Sequence, residues 1–346
     1  MSSFVADVLK SVSRGDTLSA ETAEAFMDRL MTGETTPIQT AGLLAAMTVR
    51  GETVDEIVGF ARSMRNHAVP LNLPYEVVDT CGTGGDGADT FNISTAAAFV
   101  SAAAGVPIAK HGNRAVSSRS GSADVLQALG ARIDLDELEA KECLDATKLC
   151  FLFAPSYHPA MKHAVEPRKQ LGFRTIFNIL GPLTNPAQAN RQVLGVFRAD
   201  LVSKVAEALK QLGTKHALVV HGAGGLDELS LSGETLVAEV KDGQVREYVV
   251  SPTEFGLREA ALKEIVGGDA AYNADVLRRV FSGEKGPQRD IVVLNAGAAL
   301  YVGGVSASID EGVKQASQII DSGKVLETLN HFIKTTHQVA RTEVAQ

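Results

Sequence analysis

Val77-Val78-Asp79-Thr80-Cys81-Gly82-Thr83-Gly84-Gly85-Asp86-Gly87 begins as an apolar, β-branched run and passes into four glycines within six positions. Thr90-Phe91-Asn92-Ile93-Ser94-Thr95 follows and opens the alanine-rich stretch Ala96–Ala104. A strand, a glycine-rich turn and a helix N-terminus in that order read as an anion cradle, although alone such a turn is often only a turn. Glycines let the backbone turn sharply and present its N–H groups. The helix start adds unpaired donors and the positive end of a dipole. Asn92, Ser94 and Thr95 supply side-chain donors at the same place. No Gly-Lys-Ser/Thr closes the loop, so it is not a Walker A motif, and the polar run before the helix departs from the dinucleotide fingerprint.

Outward from this loop, short apolar runs alternate with helical patterns: Ile108-Ala109, Phe151-Leu152-Phe153, Val193–Val196 and Ala217–Val220. The alternation predicts an α/β fold with a mostly parallel central sheet flanked by helices. After Ile108-Ala109 comes Lys110-His111-Gly112-Asn113-Arg114, then Ser117-Ser118-Arg119-Ser120-Gly121-Ser122. In an open parallel sheet the loops after successive strands share one edge. A glycine-rich loop and a cationic, hydroxyl-rich loop are therefore expected side by side, with Lys110 as a mobile charge and Asn113 able to donate and accept. A solvated surface loop and a structural hydrogen bond for His111 are the plainer alternatives. Asp227-Glu228 follows the strand ending at Val220. Two adjacent carboxylates near phosphates point to magnesium, although taken alone they read rather as an ordinary acidic loop. Paired glycosidase-type carboxylates are the other reading, and nothing marks a partner with a raised pKa. A fourth segment holds His158, His163, Arg168 and the run Gly181-Pro182-Leu183-Thr184-Asn185-Pro186. An arginine beside apolar residues suits a bidentate grip on a carboxylate. The two histidines five residues apart do not by themselves make a metal pair.

Residues 3 to about 70 read as helices only. Ser19 caps one, with Ala23, Phe26, Met27 and Leu30 as its stripe. Thr36-Pro37 starts another, and Thr53 with Glu56 forms a capping box for a third. The expected division is a small all-helical domain over 1–70, with a helical return segment at about 160–185, and a larger α/β domain over 71–346. Glu239–Val250 reads as a hairpin turning at Asp242-Gly243, and 291–302 and 309–336 read as helix. The formal charge of −8, from 33 Lys plus Arg against 41 Asp plus Glu, excludes a broad nucleic-acid face. No apolar run approaches the roughly 18 residues of a membrane span, and Met1–Val12 does not read as a signal peptide. Three cysteines without metal-type spacing fit a reducing cytoplasm. Cys81 is expected to pack.

Taken together, Gly82-Thr83-Gly84-Gly85-Asp86, Asn92-Ile93-Ser94-Thr95, Lys110-His111-Gly112-Asn113-Arg114, Asp227-Glu228 and the stretch from His158 to Asn185 resemble the anthranilate phosphoribosyltransferases of tryptophan biosynthesis. The likeness runs over essentially the whole chain. It implies transfer of the phosphoribosyl group of phosphoribosyl pyrophosphate (PRPP) to anthranilate. It implies a PRPP site at Gly82, Thr83, Gly84, Gly85, Asp86, Thr90, Asn92, Ile93, Ser94, Thr95, Lys110, His111, Gly112, Asn113 and Ser122. Gly82, Asn113, His158 and Arg168 would hold anthranilate. Ser94, Asp227 and Glu228 would hold Mg²⁺, two ions per subunit, with Lys110 stabilising charge electrostatically. A homodimer through the helical domain is implied as well. A partner synthase subunit is not readable from the residues. A pyrimidine nucleoside phosphorylase is the alternative enzyme, disfavoured by Asp227-Glu228. A nucleic-acid-binding relative is the alternative from another class.

Overall fold

The computed structural model describes residues 3–115 and 119–339, so Ser117 and Ser118 of the second loop lie outside the described residues. The chain opens with α1 (Ser3–Val12), α2 (Ala20–Met31), α3 (Pro37–Arg50) and α4 (Val54–Asn66). Local chemistry sets their starts. Ser19 Oγ accepts the Thr22 N–H, and Thr36 with Gln39 and Thr53 with Glu56 form reciprocal capping boxes. Glu56 does more than cap. It is fully buried, accepts the Leu18 N–H at 2.9 Å, and is gripped by Arg50 at 2.6 Å. Removing one partner of such a pair costs about 3–5 kcal/mol.

Seven strands follow: β1 (Val78–Gly82), β2 (Ile108–Gly112), β3 (Leu149–Phe153), β4 (Arg191–Gly195), β5 (His216–Gly222), β6 (Thr235–Lys241) and β7 (Gln244–Val250). They form one sheet in the order β3-β2-β1-β4-β5-β6-β7. Pairings from β3 through β5 are parallel, and β6 and β7 join antiparallel. Asp242 (φ 51) and Gly243 (φ 72) both take the left-handed conformation that a two-residue hairpin turn requires. The chain order reverses between β1 and β4, and the crevice outside their C-terminal ends is where an open α/β sheet binds ligands.

The remaining helices are α5 (Ile93–Ala103), α6 (Ser122–Leu129), α7 (Glu137–Thr147), α8 (Ala154–Tyr157), α9 (Lys162–Leu171), α10 (Phe177–Leu180), α11 (Leu201–Gln211), α12 (Ala270–Phe281), α13 (Pro287–Val302), α14 (Ile309–Asp321) and α15 (Lys324–Gln338). Strand alternation separates two cores. On one face Leu218, Val220 and Val237 pack with Phe99, Val293, Leu294 and Phe332. On the other, Leu194, Val219 and Val240 pack with α11 and with Phe26, Leu30, Leu43, Phe60, Ala164 and Phe177. The four N-terminal helices, α9, α10 and one sheet face thus share a single apolar core.

Two sequence expectations change. Lys110-His111-Gly112 is strand, not loop: these residues pair in register with Phe151-Leu152-Phe153 of β3. A lysine inside a strand is tolerable because its ammonium finds buried oxygen partners, described below. The helix expected over 309–336 breaks at Ser322-Gly323, where Gly323 takes φ +81. Cys81 lies within β1, buried, with Gln192 Nε2 at 3.2 Å from its sulfur, and burial raises its thiol far above the usual range.

Candidate active site

β1, β4 and β5 deliver three segments to the crevice. The glycine-rich loop leaves β1 at Gly82. Thr83 N–H donates to Gly195 O at 2.9 Å, and Thr83 Oγ1 accepts the Phe197 N–H at 3.1 Å. The loop after β5 folds back so that Asp227 meets both strand ends. Asp227 Oδ2 accepts the Gly84 N–H at 2.7 Å. The packing there leaves no room for side chains. A Cβ at Gly82 would stand 2.2 Å from Asp227 Oδ2, and one at Gly195 only 1.5 Å from the Asp227 carbonyl oxygen. Asn295 of α13 anchors the same loop from behind, donating to Leu229 O and accepting the Leu229 N–H, each at 3.0 Å.

Lys110 is the buried centre of the site. Its Nζ donates to Thr80 O and, at 3.2 Å, to Ser94 Oγ. Asp79, fully buried beneath, accepts the His111 N–H at 3.3 Å and Asn185 Nδ2 at 2.7 Å. Burial lifts the Asp79 carboxyl to about 6, against the opposing pull of Lys110 and the hydrogen bonds from Asn185 and His111. Glu228 is raised to about 7 by burial and by Asp86, while Lys110 and hydrogen bonds from Ser94 hold it down. Asp227 stands well above the usual carboxylate range, first through burial and then through Asp86 and Glu228. Asp86 Oδ1 accepts the Ala88 N–H at 3.1 Å, and its Oδ2 is buried without a donor among the described residues.

Two buried carboxylates, Asp227 and Glu228, raised by burial and by the nearby Asp86, together with the orphaned Asp86 oxygen, fit a divalent cation. Among the described residues no group of three or more His, Cys, Asp or Glu side chains is arranged to hold a metal ion by itself. An open set with Ser94 suits magnesium, which retains waters and shares substrate phosphate oxygens.

The rest of the expected PRPP set lies around this centre. α5 begins at Ile93, which places Ser94 and Thr95 in its first turn, and Thr95 Oγ1 is buried without a partner among the described residues. Asn92 is held from two sides, donating to Ser120 O at 3.1 Å and accepting from Asn273 Nδ2 at 3.0 Å. Thr90 pairs through its backbone with Val266. Gly112 admits no Cβ, since Ser122 Oγ would stand 2.2 Å from it. Ser122 Oγ in turn donates to Asn113 O at 3.3 Å, and Asn113 Oδ1 accepts the Arg114 N–H.

His111 and His158 form a second group. Their rings lie 5.0 Å apart, and both Nε2 atoms are buried without partners among the described residues. Burial drives the imidazoles down to about 3 and about 4, so both are neutral at pH 7. Arg168 lies in the last turn of α9. Its guanidinium lies 5.0 Å over the Phe177 ring, and burial lowers its pKa. Sequence reasoning missed Asn185, Asn273, Gly195 and Asp79 as parts of this machinery. Only Asp79 carried a signal, as a carboxylate inside an apolar strand.

A helical bundle packed on an α/β sheet, with an anion loop at the sheet's switch point, defines a class that the comparisons identify. Residues 6–68 match the glycosyl transferase family's helical bundle domain, and residues 74–326 match that family's a/b domain. A relative from Rubrobacter xylanophilus, an anthranilate phosphoribosyltransferase, is 52% identical over 96% of this chain and 98% of its own. The crystal structure of the Thermus thermophilus anthranilate phosphoribosyltransferase is 45% identical with a TM-score of 0.91, over 96% of this chain and 99% of its own. The Saccharomyces cerevisiae enzyme, solved in complex with PRPP and Mg, is 28% identical with a TM-score of 0.89, over 98% and 99%. The chain belongs to the anthranilate phosphoribosyltransferase family.

Proposed function

We propose that the protein transfers the phosphoribosyl group of PRPP to the amine of anthranilate, releasing pyrophosphate. The observation that carries this reading is the junction of Gly84, Lys110, Ser94, Asp227 and Glu228 at the start of α5. It brings the glycine-rich loop, tied to Asp227 through the Gly84 N–H, together with a buried cation and a carboxylate set at one point. The relatives named as this enzyme, and the yeast relative with PRPP and Mg, support the same reading.

Anthranilate's amine is neutral at pH 7, so attack on ribose C1 needs no strong base. The C1–N bond forms as the C1–O bond to pyrophosphate breaks, with its electron pair leaving on pyrophosphate and one amine proton lost. Charge grows on the leaving group. The N–H groups of the first turn of α5, and those of the glycine-rich loop not bonded to Asp227 or Gly195, would face that charge. Lys110 holds Ser94 Oγ in place and offsets the negative field of Asp79 and Glu228. When bound, magnesium supplies further positive charge and orients the leaving group. Ser94, Asp227 and Glu228 would hold it, and two ions per subunit are proposed. Gly82, Asn113, His158 and Arg168 are assigned to anthranilate, with Asn113 near its amine and Arg168 on its carboxylate.

The division into a helical domain (1–70, with 160–185 returning to it) and an α/β domain (71–346) belongs to this proposal. So does a homodimer through the helical part, where α3 leaves Ile38 and Val49 84% and 91% exposed. No helix among the described residues is long and apolar enough to cross a membrane, and the cytoplasm is the proposed compartment. The test is anthranilate fluorescence, followed on adding protein, PRPP and Mg²⁺, with EDTA as control. Loss that requires both additions supports the reaction. No loss from folded protein rejects it in favour of a phosphorylase.

A further inference from the structure

We infer that Arg174 is an additional anion-binding residue, whose guanidinium grips the pyrophosphate group of the phosphoribosyl donor across the mouth of the glycine-rich loop. The inference rests on the proposed reaction and adds to it a residue outside the loops already assigned.

Arg174 lies in the exposed connection Gly172-Phe173-Arg174 between α9 and α10. It therefore approaches from the helical side, not from a strand end. The guanidinium lies over the Phe197 ring, its Cζ 4.6 Å from the centroid. Phe197 is tied to the glycine-rich loop through its N–H bond to Thr83 Oγ1. Gly85 lies directly beneath. It has φ +74, and a Cβ there would stand 2.9 Å from Cζ, Nε and Nη2 of Arg174. The guanidinium thus rests against the backbone of the loop itself, and only glycine allows that approach.

The charge is not spent on protein. Among the described residues Arg174 makes no ion pair and no side-chain hydrogen bond. Its neighbour Arg198 is a useful contrast. That residue shares the Phe197 ring at 5.8 Å but is bound to Asp200 at 2.7 Å. Stacking fixes the orientation of a guanidinium while leaving its in-plane donors free, and a planar fork matches a phosphate oxygen pair. The connection is also pinned at its far end, where Thr175 N–H donates to Asn178 Oδ1 at 3.1 Å. A stacked cation with free donors, held against an N–H-rich loop, selects a polyanion. The anthranilate carboxylate has its own candidate in Arg168, over a different ring. Arg174 therefore joins the helical side to the phosphate loop through the bound substrate.

The test uses the full chain with Arg174→Gln and Arg174→Lys. The expected result for Arg174→Gln is a PRPP KM and a pyrophosphate inhibition constant raised about ten- to hundredfold. The anthranilate KM should stay within about twofold and the melting temperature close to wild type, since the residue is exposed. Arg174→Lys should fall between, because an ammonium keeps the charge and loses the fork. An unchanged pyrophosphate constant in Arg174→Gln overturns the inference, as does an anthranilate KM that rises as much as that for PRPP. Calorimetric titration with inorganic pyrophosphate and Mg²⁺ separates this inference from the reaction assignment. If wild type fails to consume anthranilate yet binds pyrophosphate and Arg174→Gln does not, the reaction fails and the fork stands. Equal binding by both proteins, or none by wild type, overturns the fork.

Discussion

Gly195→Ala probes how the carboxylate loop is seated. The new Cβ would stand 1.5 Å from the Asp227 carbonyl oxygen and 2.1 Å from its carbon, whereas ordinary contact begins at 3.4 Å. One side must retreat by about 2 Å, and neither atom belongs to a flexible side-chain end. β4 cannot yield, because Gly195 is in register with Gly82 on one side and Val220 on the other. The loop carrying Asp227 must move instead, and the Gly84 N–H bond to Asp227 Oδ2 goes with it. Overpacking of this kind costs about 1–3 kcal/mol. Losing a hydrogen bond to a charged group adds about 1.5–3 kcal/mol. A misplacement of this size at a reacting centre costs about a hundredfold in rate. The expected phenotype is a melting temperature lower by several degrees, a kcat reduced about a hundredfold, and a half-saturating Mg²⁺ concentration raised about tenfold. Anthranilate turnover would be titrated with Mg²⁺ at saturating PRPP, beside a thermal melt. A variant that melts early but keeps wild-type kcat and Mg²⁺ dependence would refute the argument, because the contact would then be packing alone.

Lys110→Met should lower kcat/KM about 10²–10³-fold. The buried Asp79 and Glu228 make a lower melting temperature the expected companion; kinetics within threefold of wild type would remove Lys110 from the charge-stabilising role. Arg168→Ala should raise the anthranilate KM about ten- to hundredfold with a much smaller effect on PRPP, and equal effects in steady-state kinetics would defeat the assignment. His158→Asn tests the buried imidazoles. The folded pKa of His158, about 4, lies below the unfolded value near 6.5, so its stability contribution is intact above 6.5 and is lost as pH falls toward 4. Asp79 and Glu228, with raised values, respond in the opposite sense, so the comparison is between variant and wild type. The variant should gain about 2 kcal/mol relative to wild type between pH 7.5 and pH 5, and a difference in chemical-denaturation stability that stays constant across that range would count against a neutral buried His158.

Much of this architecture is legible in the sequence because its signals are local. Ser19, Thr36 and Thr53 announce helix starts through side chains that bond residues three positions on. Asp242-Gly243 fixes a hairpin by backbone conformation alone. The glycine-rich loop is readable because four glycines within six positions, followed by Asn92, Ser94 and Thr95 at a helix start, form a local pattern. What was not legible depends on distant partners. Lys110-His111-Gly112 looks like a polar loop until β3 pairs with it and Thr80 and Ser94 receive its ammonium. Asn185 meets Asp79 across 106 residues, Asp227 meets Gly84 across 143, and Asn273 meets Asn92 across 181. No local pattern encodes such pairings. Gly195 reads as an ordinary strand end, and Arg174 as one more exposed arginine.

The shared core described for α1–α4 also sets a timetable for synthesis. Phe26, Leu43 and Phe60 are closed over by Ala164, Phe177, Leu194, Leu209 and Val240, all made later. At about 5–20 residues per second, the stretch from Met64 to Val240 takes on the order of 10–35 s to emerge. For that interval the nascent helices carry an apolar flank with nothing to cover it. The N-terminal bundle therefore waits on segments made long after it, and the core it shares is completed by a β-strand more than 170 residues downstream.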